Sequence, residues 1–292
     1  MWAVVESSKR SAGPVEAPRV AEKHVVGGAG RREFLKSLAG WSVVPLAGLV
    51  AGTWPVRTAQ AATDGLTLIA HGYGVSREQR PLGDLSLGQA PRTALIVGGI
   101  HGGSEANTVA LVQKLSSAIE LDPGSVPPGL GLTFVSTANP DGLANGTRML
   151  SSGVDPNRNW PTADWSTDTY ASGPTLVPGG GGPSALSEPE TQALARLVTV
   201  LRPALIVSYH SAARLVTGGP QARAMGLEAA YAAAAGYAAG DWTAYPVTGD
   251  FAQWAELNQG IPTIEVELPD HENTHLAANL AALRAVLWKS AA

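Results

Sequence analysis

Short apolar runs alternate with stretches of helical periodicity along most of the chain. Runs at 66–70, 83–87 and 93–99 read as strands, and the third leads into His101. Residues 105–119 then place Ala106, Val109, Ala110, Val112 and Leu115 at helical spacing, closed by Asp122-Pro123-Gly124. A buried strand follows at 132–137, and 139–187 is a long Gly/Pro-rich excursion with little periodicity, a length that compact domains usually reserve for function. Ser187-Glu188-Pro189-Glu190 reads as a capping box with proline in the first turn, opening a helix. The run 205–209 repeats the earlier pattern, a strand ending in a histidine, here His210. An Ala-rich segment at 222–240 reads as a surface helix, 261–268 as a strand and 274–288 as a final helix. This alternation predicts an α/β fold: a single open, mostly parallel or mixed twisted sheet with helices on both faces, whose ligands bind beyond the C-terminal ends of the strands. His101, His210 and Glu267 all fall at that edge.

The first 61 residues do not share this pattern. Gly30-Arg31-Arg32-Glu33-Phe34-Leu35-Lys36 precedes an apolar stretch at 38–50 and then Ala59-Gln60-Ala61, small residues suited to signal peptidase. This resembles a twin-arginine export signal, with a signal core at 30–61 behind an N-terminal extension. The apolar run is shorter than the ~20 residues a membrane span needs and is broken by Gly40, Pro45 and Gly48. The expectation is therefore a cleaved signal over 1–61, no lasting membrane span, and a periplasmic or extracellular catalytic domain over 62–292.

Composition narrows the chemistry. From Ala62 onward there are 12 Lys and Arg against 20 Asp and Glu, a balance unsuited to nucleic acid or an anionic membrane surface. Cysteine is absent from all 292 residues, which excludes disulfides, thiolate metal sites and a cysteine nucleophile. Any metal must be held by imidazole and carboxylate.

His101-Gly102-Gly103-Ser104-Glu105 sets an imidazole in a glycine turn and a carboxylate at the start of a helix, where both can point to one spot. With His210 they make two histidines and one glutamate, a set that leaves a coordination position of zinc open for water, as hydrolytic sites do. Downstream stand Asn139-Pro140-Asp141-Gly142, Arg148, Asp155-Pro156-Asn157-Arg158-Asn159-Trp160, Tyr245 and Glu267. In this order and over nearly the whole of 62–292, the pattern resembles the zinc carboxypeptidase family. Residues 139–160 and Ser187-Glu188-Pro189-Glu190-Thr191 look most like its bacterial murein peptide amidase branch.

The resemblance implies one zinc ion held by His101, Glu105 and His210, with Glu267 as general base. A carboxylate beside a metal-activated water can take its proton and pass it to the leaving amine. Arg148 would stabilise the oxyanion, Arg158 with Asn157 would hold the substrate's terminal carboxylate through a guanidinium fork, and Tyr245 would close over the bound residue. Glu265 lies two positions before Glu267 and so faces the same way; it either tunes its neighbour or contacts substrate. The family usually spaces its first ligands as HxxE, whereas this chain has HxxxE, an added residue that Gly102-Gly103 can absorb.

His271-Glu272-Asn273-Thr274-His275 matches HExxH literally but straddles a helix start, and no Asp, Glu or His follows it to complete a ligand set. The implied partner is a peptide or muropeptide, cleaved between γ-D-glutamate and a diamino acid. Asp250 is a candidate for the diamino acid's ammonium or, equally, a helix N-cap. Two other readings stand beside this one: an N-acyl amino acid deacylase of the same fold, and an inactive zinc-dependent peptidoglycan-binding module. A binder would need neither Glu267 nor Arg148.

Overall fold

The computed structural model describes residues 68–88 and 90–292; the expected export signal, the extension expected before it and the start of the first predicted strand lie outside the described residues. Ten strands form: β1 (Leu68–Val75), β2 (Pro81–Leu87), β3 (Arg92–Val97), β4 (Leu130–Val135), β5 (Thr169–Tyr170), β6 (Leu176–Val177), β7 (Leu205–Ser211), β8 (Leu215–Gly218), β9 (Ala238–Ala239) and β10 (Thr263–Leu268). Eight of them make one sheet in the order β1-β2-β4-β3-β7-β10-β8-β9. Its four central strands, β4, β3, β7 and β10, run parallel, while β1, β2 and β8 join antiparallel. The sheet is therefore mixed, with a parallel centre.

β3 and β4 are mainly apolar because both faces are covered, whereas β10 alternates polar and apolar residues and β7 carries Ser208 and His210 toward its C-terminal end. Ala94, Ile96, Val207, Tyr209, Ile264 and Val266 pack on one side with α1 (Ala106–Leu121) and the C-terminal helix. Leu95, Val97 and Ile206 pack on the other with Leu194 and Val198 of α3 (Pro189–Leu201), while the short α2 (Pro140–Asn145) lies against the turn at 103–105. Each fully buried Leu or Ile contributes about 1.5–3 kcal/mol relative to exposure.

Two expectations need correction, and one element was not foreseen. The Ala-rich stretch is not one surface helix but α4 (Pro220–Ala224) and α5 (Leu227–Ala235), followed by β9. Gly226 and Gly236 adopt left-handed φ of 67° and 70° and punctuate it, and Leu227 and Tyr231 are buried in the core. Its alanines are small enough to let the helix lie against the C-terminal one. The capping box does not form: Glu188 is the N-cap of α3 without a side-chain cap bond, and the Ser187 hydroxyl is engaged with Glu188 and Asn159 instead. Strand β8, only four residues long, is an antiparallel addition that the apolar pattern did not predict.

After α6 (Phe251–Gln253) the chain continues as a π-helical turn over Trp254–Asn258, and α7 (Leu276–Ala291) ends the chain. Among the described residues no helix is long and apolar enough to cross a membrane.

Candidate metal centre

The parallel register of β7 and β10 places His210 opposite Glu267 and Ser208 opposite Glu265, at the C-terminal edge of the sheet. Apolar neighbours at 207, 209, 264, 266 and 268 point to the opposite face, so the period of two delivers all four polar side chains to one side. His101 arrives from the end of β3. Glu105 closes a single 3-10 turn, Gly103–Glu105, whose first residue has φ of 59°, and its N–H donates to the Gly102 carbonyl. The residue added to the usual spacing is taken up by this glycine turn, and Glu105 still meets His101, with Oε1 3.0 Å from Nδ1.

Gly102 is packed so closely on the carbonyl of Gly142 that a Cβ would overlap it. The NPDG turn is therefore the floor on which the histidine loop rests. Asn139 caps α2 by accepting from the Gly142 N–H at 2.7 Å, and its amide donates to the Arg148 and Met149 carbonyls, which fixes the segment carrying Arg148. Asp141 accepts from Ser76, the Glu78 N–H and Arg80, tying this turn to the β1–β2 hairpin. Asn159 joins Gly181, Ser184, Ser187 and Thr191 and pins the long excursion to the start of α3.

His101, Glu105 and His210 each present one ligand atom within 4.8 Å of the others. The two Nδ1 atoms face each other at 3.3 Å, and Glu105 Oε2 lies 3.3 Å from His210 Nδ1. The outward ring nitrogens are both engaged: His101 Nε2 with Asp155 Oδ1 at 3.0 Å and His210 Nε2 with Glu265 Oε1 at 3.5 Å. Converging nitrogens backed by carboxylates are the arrangement of metal-ligating histidines, and a nitrogen and oxygen donor set suits zinc. Burial opposes ionisation of Glu105, but His101 and His210 outweigh it and hold the carboxyl well below the ordinary range. For His210, burial is likewise outweighed by Glu105 and Glu265, which raise its pKa well above the usual imidazole value.

All nine residues singled out in the sequence border one cavity of about 350 Å³. Glu267 has no hydrogen bond or ion pair among the described residues; burial, reinforced by Glu105 and Glu265, pushes its pKa up to about 7 despite His210. Arg148 donates through Nη1 to Glu105 and through Nε to Asp155 at 3.2 Å. Arg158 is 2% exposed and has no carboxylate partner among the described residues; Nε donates to the Tyr170 carbonyl and Nη1 to the Asn157 carbonyl. The Asn157 amide donates to Asp250 Oδ2 at 3.0 Å and to Glu265, and its oxygen accepts from the Phe251 N–H. Tyr245 donates its hydroxyl to the Ala171 carbonyl and packs edge-on against Trp242. Asp250 is a helix N-cap, accepting from the Gln253 N–H at 2.7 Å.

Two groups escaped the sequence reading in their structural role. Asp155 links His101, Arg148 and the Asn157 N–H in one buried carboxylate, and Arg148 and His101 lower its pKa against the effect of burial. Its place in the turn just before Asn157 was the available signal. Glu265 turns out to back His210, a relation that follows from the strand register and could not be read before it was known. The HExxH residues do not form a site: His271 meets Ser211 and His275 meets Asp270, both ahead of α7.

A sheet of this order with a His-Glu-His centre at its parallel edge defines a metallopeptidase-type scaffold, and the family model for zinc carboxypeptidases matches residues 66–285: the chain belongs to that family. Murein peptide amidase A of Escherichia coli (strain K12) is 33% identical over 127 residues, covering 40% of this chain and 48% of that protein, so the match spans about half the length of that relative. The Vibrio campbellii protein of the same name is 29% identical over 184 residues, covering 60% of this chain and 68% of its own. Among solved structures, murein-tripeptide amidase from Escherichia coli O157 superimposes with a TM-score of 0.60 at 26% identity, over 78% of this chain and 94% of that one. Bovine thrombin-activatable fibrinolysis inhibitor gives a TM-score of 0.64 at 16% identity, over 78% and 91% of the two chains, which is a likeness of fold.

Proposed function

We propose that this protein is a zinc-dependent peptidase or amidase that hydrolyses the bond before a C-terminal residue in cell-wall peptides, between γ-D-glutamate and a diamino acid. The observation that carries the reading is the convergence of His101, Glu105 and His210 in one cavity with Glu267, which has no hydrogen bond or ion pair among the described residues. The names of the relatives support the murein substrate. The arginine pair at 31–32 and the apolar stretch behind it support export, and hence action outside the cytoplasm.

Bound zinc would supply Lewis acidity, polarising the scissile carbonyl and acidifying a water. The chain's own residues do the rest. Glu267, its pKa pushed up to about 7 by burial, accepts the proton of the attacking water and delivers it to the leaving amine. Arg148 is fixed by Asp155 through Nε and offers Nη2 to the developing oxyanion. Arg158, held by two backbone carbonyls and with no carboxylate hydrogen-bonded to it among the described residues, orients the substrate's terminal carboxylate. Asn157 stands beside it and keeps the cavity wall in place through Asp250 and Glu265. Tyr245 sits at the cavity rim, where it can close over the bound residue. The test is mass spectrometry of muropeptide digests by zinc-loaded wild type and Glu267→Gln; release of the terminal diamino acid by wild type alone is expected, and no cleavage of any peptide by wild type would overturn the reading.

A further inference from the structure

One buried amide fastens the loop of the HExxH residues to the metal centre. Asn107, the second residue of α1 and two positions beyond Glu105, is 7% exposed. Its Nδ2 donates to the Asp270 carbonyl at 2.8 Å and to the Asn273 carbonyl at 3.1 Å, and its Oδ1 accepts from the Ser211 hydroxyl at 3.0 Å. Both N–H groups and the oxygen are thus engaged, and the orientation is fixed by chemistry, since only the NH2 end can meet two carbonyls. The Ser211 hydroxyl gives its one proton to Asn107 and so accepts from His271 Nδ1, 2.9 Å away.

Each of the three segments that meet at this amide carries a group of the centre. Glu105 is the N-cap of α1, the helix on which Asn107 stands. Ser211 follows His210 at the end of β7, and its N–H donates to Glu105 Oε2 at 3.3 Å, so the residue that Asn107 grips orients the carboxylate of a metal ligand. Asp270 lies three positions beyond Glu267, just past the end of β10. An apolar side chain at 107 would strip two backbone carbonyls and a buried hydroxyl of their partners at once, a loss greater than the net worth of the bonds themselves.

We propose that Asn107 is a positioning residue that sets the ligands Glu105 and His210 and the base Glu267 against one another. Its oxygen serves the ligand side, because it holds Ser211 where the Ser211 N–H meets Glu105. Its nitrogen serves the base side, because it ties down the segment that leaves Glu267. The inference rests on the metal-centre and peptidase reading above and adds a residue that acts only through others.

The ligand side is tested without turnover, by chelator competition for zinc, by the visible spectrum of the cobalt-substituted protein and by urea unfolding of the metal-free protein. Asn107→Leu and Ser211→Ala are each expected to weaken zinc about 10–100-fold, the usual effect of losing an outer partner of a ligand, and to shift the cobalt bands. The double variant should bind no more weakly than Asn107→Leu, since both changes break the same hydrogen bond. Ser211→Thr keeps the hydroxyl and should restore affinity. Leu115→Ala, which hollows the core on the same helix, should lower the urea midpoint and leave the cobalt bands unmoved. The base side is read in Asn107→Asp, which keeps the acceptor for Ser211 and loses both donors: kcat should fall roughly 10–100-fold with KM little changed. Should Asn107→Leu fail to fold, the Ser211→Ala and Ser211→Thr pair decides the ligand side. Zinc affinity within twofold of wild type in Ser211→Ala, additive losses in the double variant, or wild-type kcat in Asn107→Asp overturns the inference. The expected zinc and cobalt results with no peptide cleavage by wild type would instead count against the peptidase reading and uphold the ligand side.

Discussion

Asp155 Oδ1 lies 3.0 Å from His101 Nε2 while its other oxygen accepts from Arg148 Nε at 3.2 Å, so one buried carboxylate orients both a ligand candidate and the cation beside it. Removing it should loosen the whole centre. Asp155→Asn is expected to weaken zinc binding by about 10–100-fold, the usual effect of deleting an outer partner of a metal ligand. Competition against a fluorescent chelator measures it; an affinity within twofold of wild type would show that His101 is oriented by something else.

Glu267 tests the chemistry separately from the metal. Glu267→Gln should retain one zinc per chain by elemental analysis and lose about 10²–10⁴-fold in kcat, the range of a general base. Loss of zinc together with activity would make Glu267 a ligand instead.

The ligand cluster gives a pH prediction. Glu105 and Glu265 raise the His210 pKa against burial, so a proton on its imidazole competes with zinc. Apparent zinc affinity should therefore rise with pH until the raised His210 value is passed, and fall in acid. Calorimetric titrations in two buffers of different ionisation enthalpy should report release of about one proton per zinc; identical enthalpies in both buffers would contradict it.

Arg158→Lys keeps the charge and loses the fork. A roughly tenfold or greater loss in kcat/KM is expected for peptides with a free terminal carboxylate, with little change for their amidated counterparts. Equal losses on both would remove Arg158 from carboxylate recognition.

Gly102→Ala would drive a methyl into the Gly142 carbonyl. A destabilisation of about 1–3 kcal/mol, as for overpacked sites, should accompany weaker zinc binding. Urea unfolding of the metal-free protein reads the first effect, and an unchanged midpoint would mean the two loops can part freely.

Much of the site was legible in the chain because its residues sit at points where local pattern changes: His101 and His210 end apolar runs, and Glu105 begins a helical one. The parallel centre of the sheet followed from strands alternating with helices. What was not legible depends on register and on packing between distant segments. Glu265 backs His210 only because β10 lies beside β7 in a particular alignment. The Ala-rich segment misled because alanine is compatible with both exposure and close helix packing, and only the partner helix distinguishes them.

The left-handed turn at Gly103 bears on how such a centre is recognised as well as on its geometry. What the chemistry requires is a separation in space, and a glycine turn between the donors admits one more residue while His101 Nδ1 and Glu105 Oε1 still meet at 3.0 Å. Genome surveys that require a fixed interval between histidine and glutamate would pass over this chain, whereas a criterion built on convergent donor atoms would retain it.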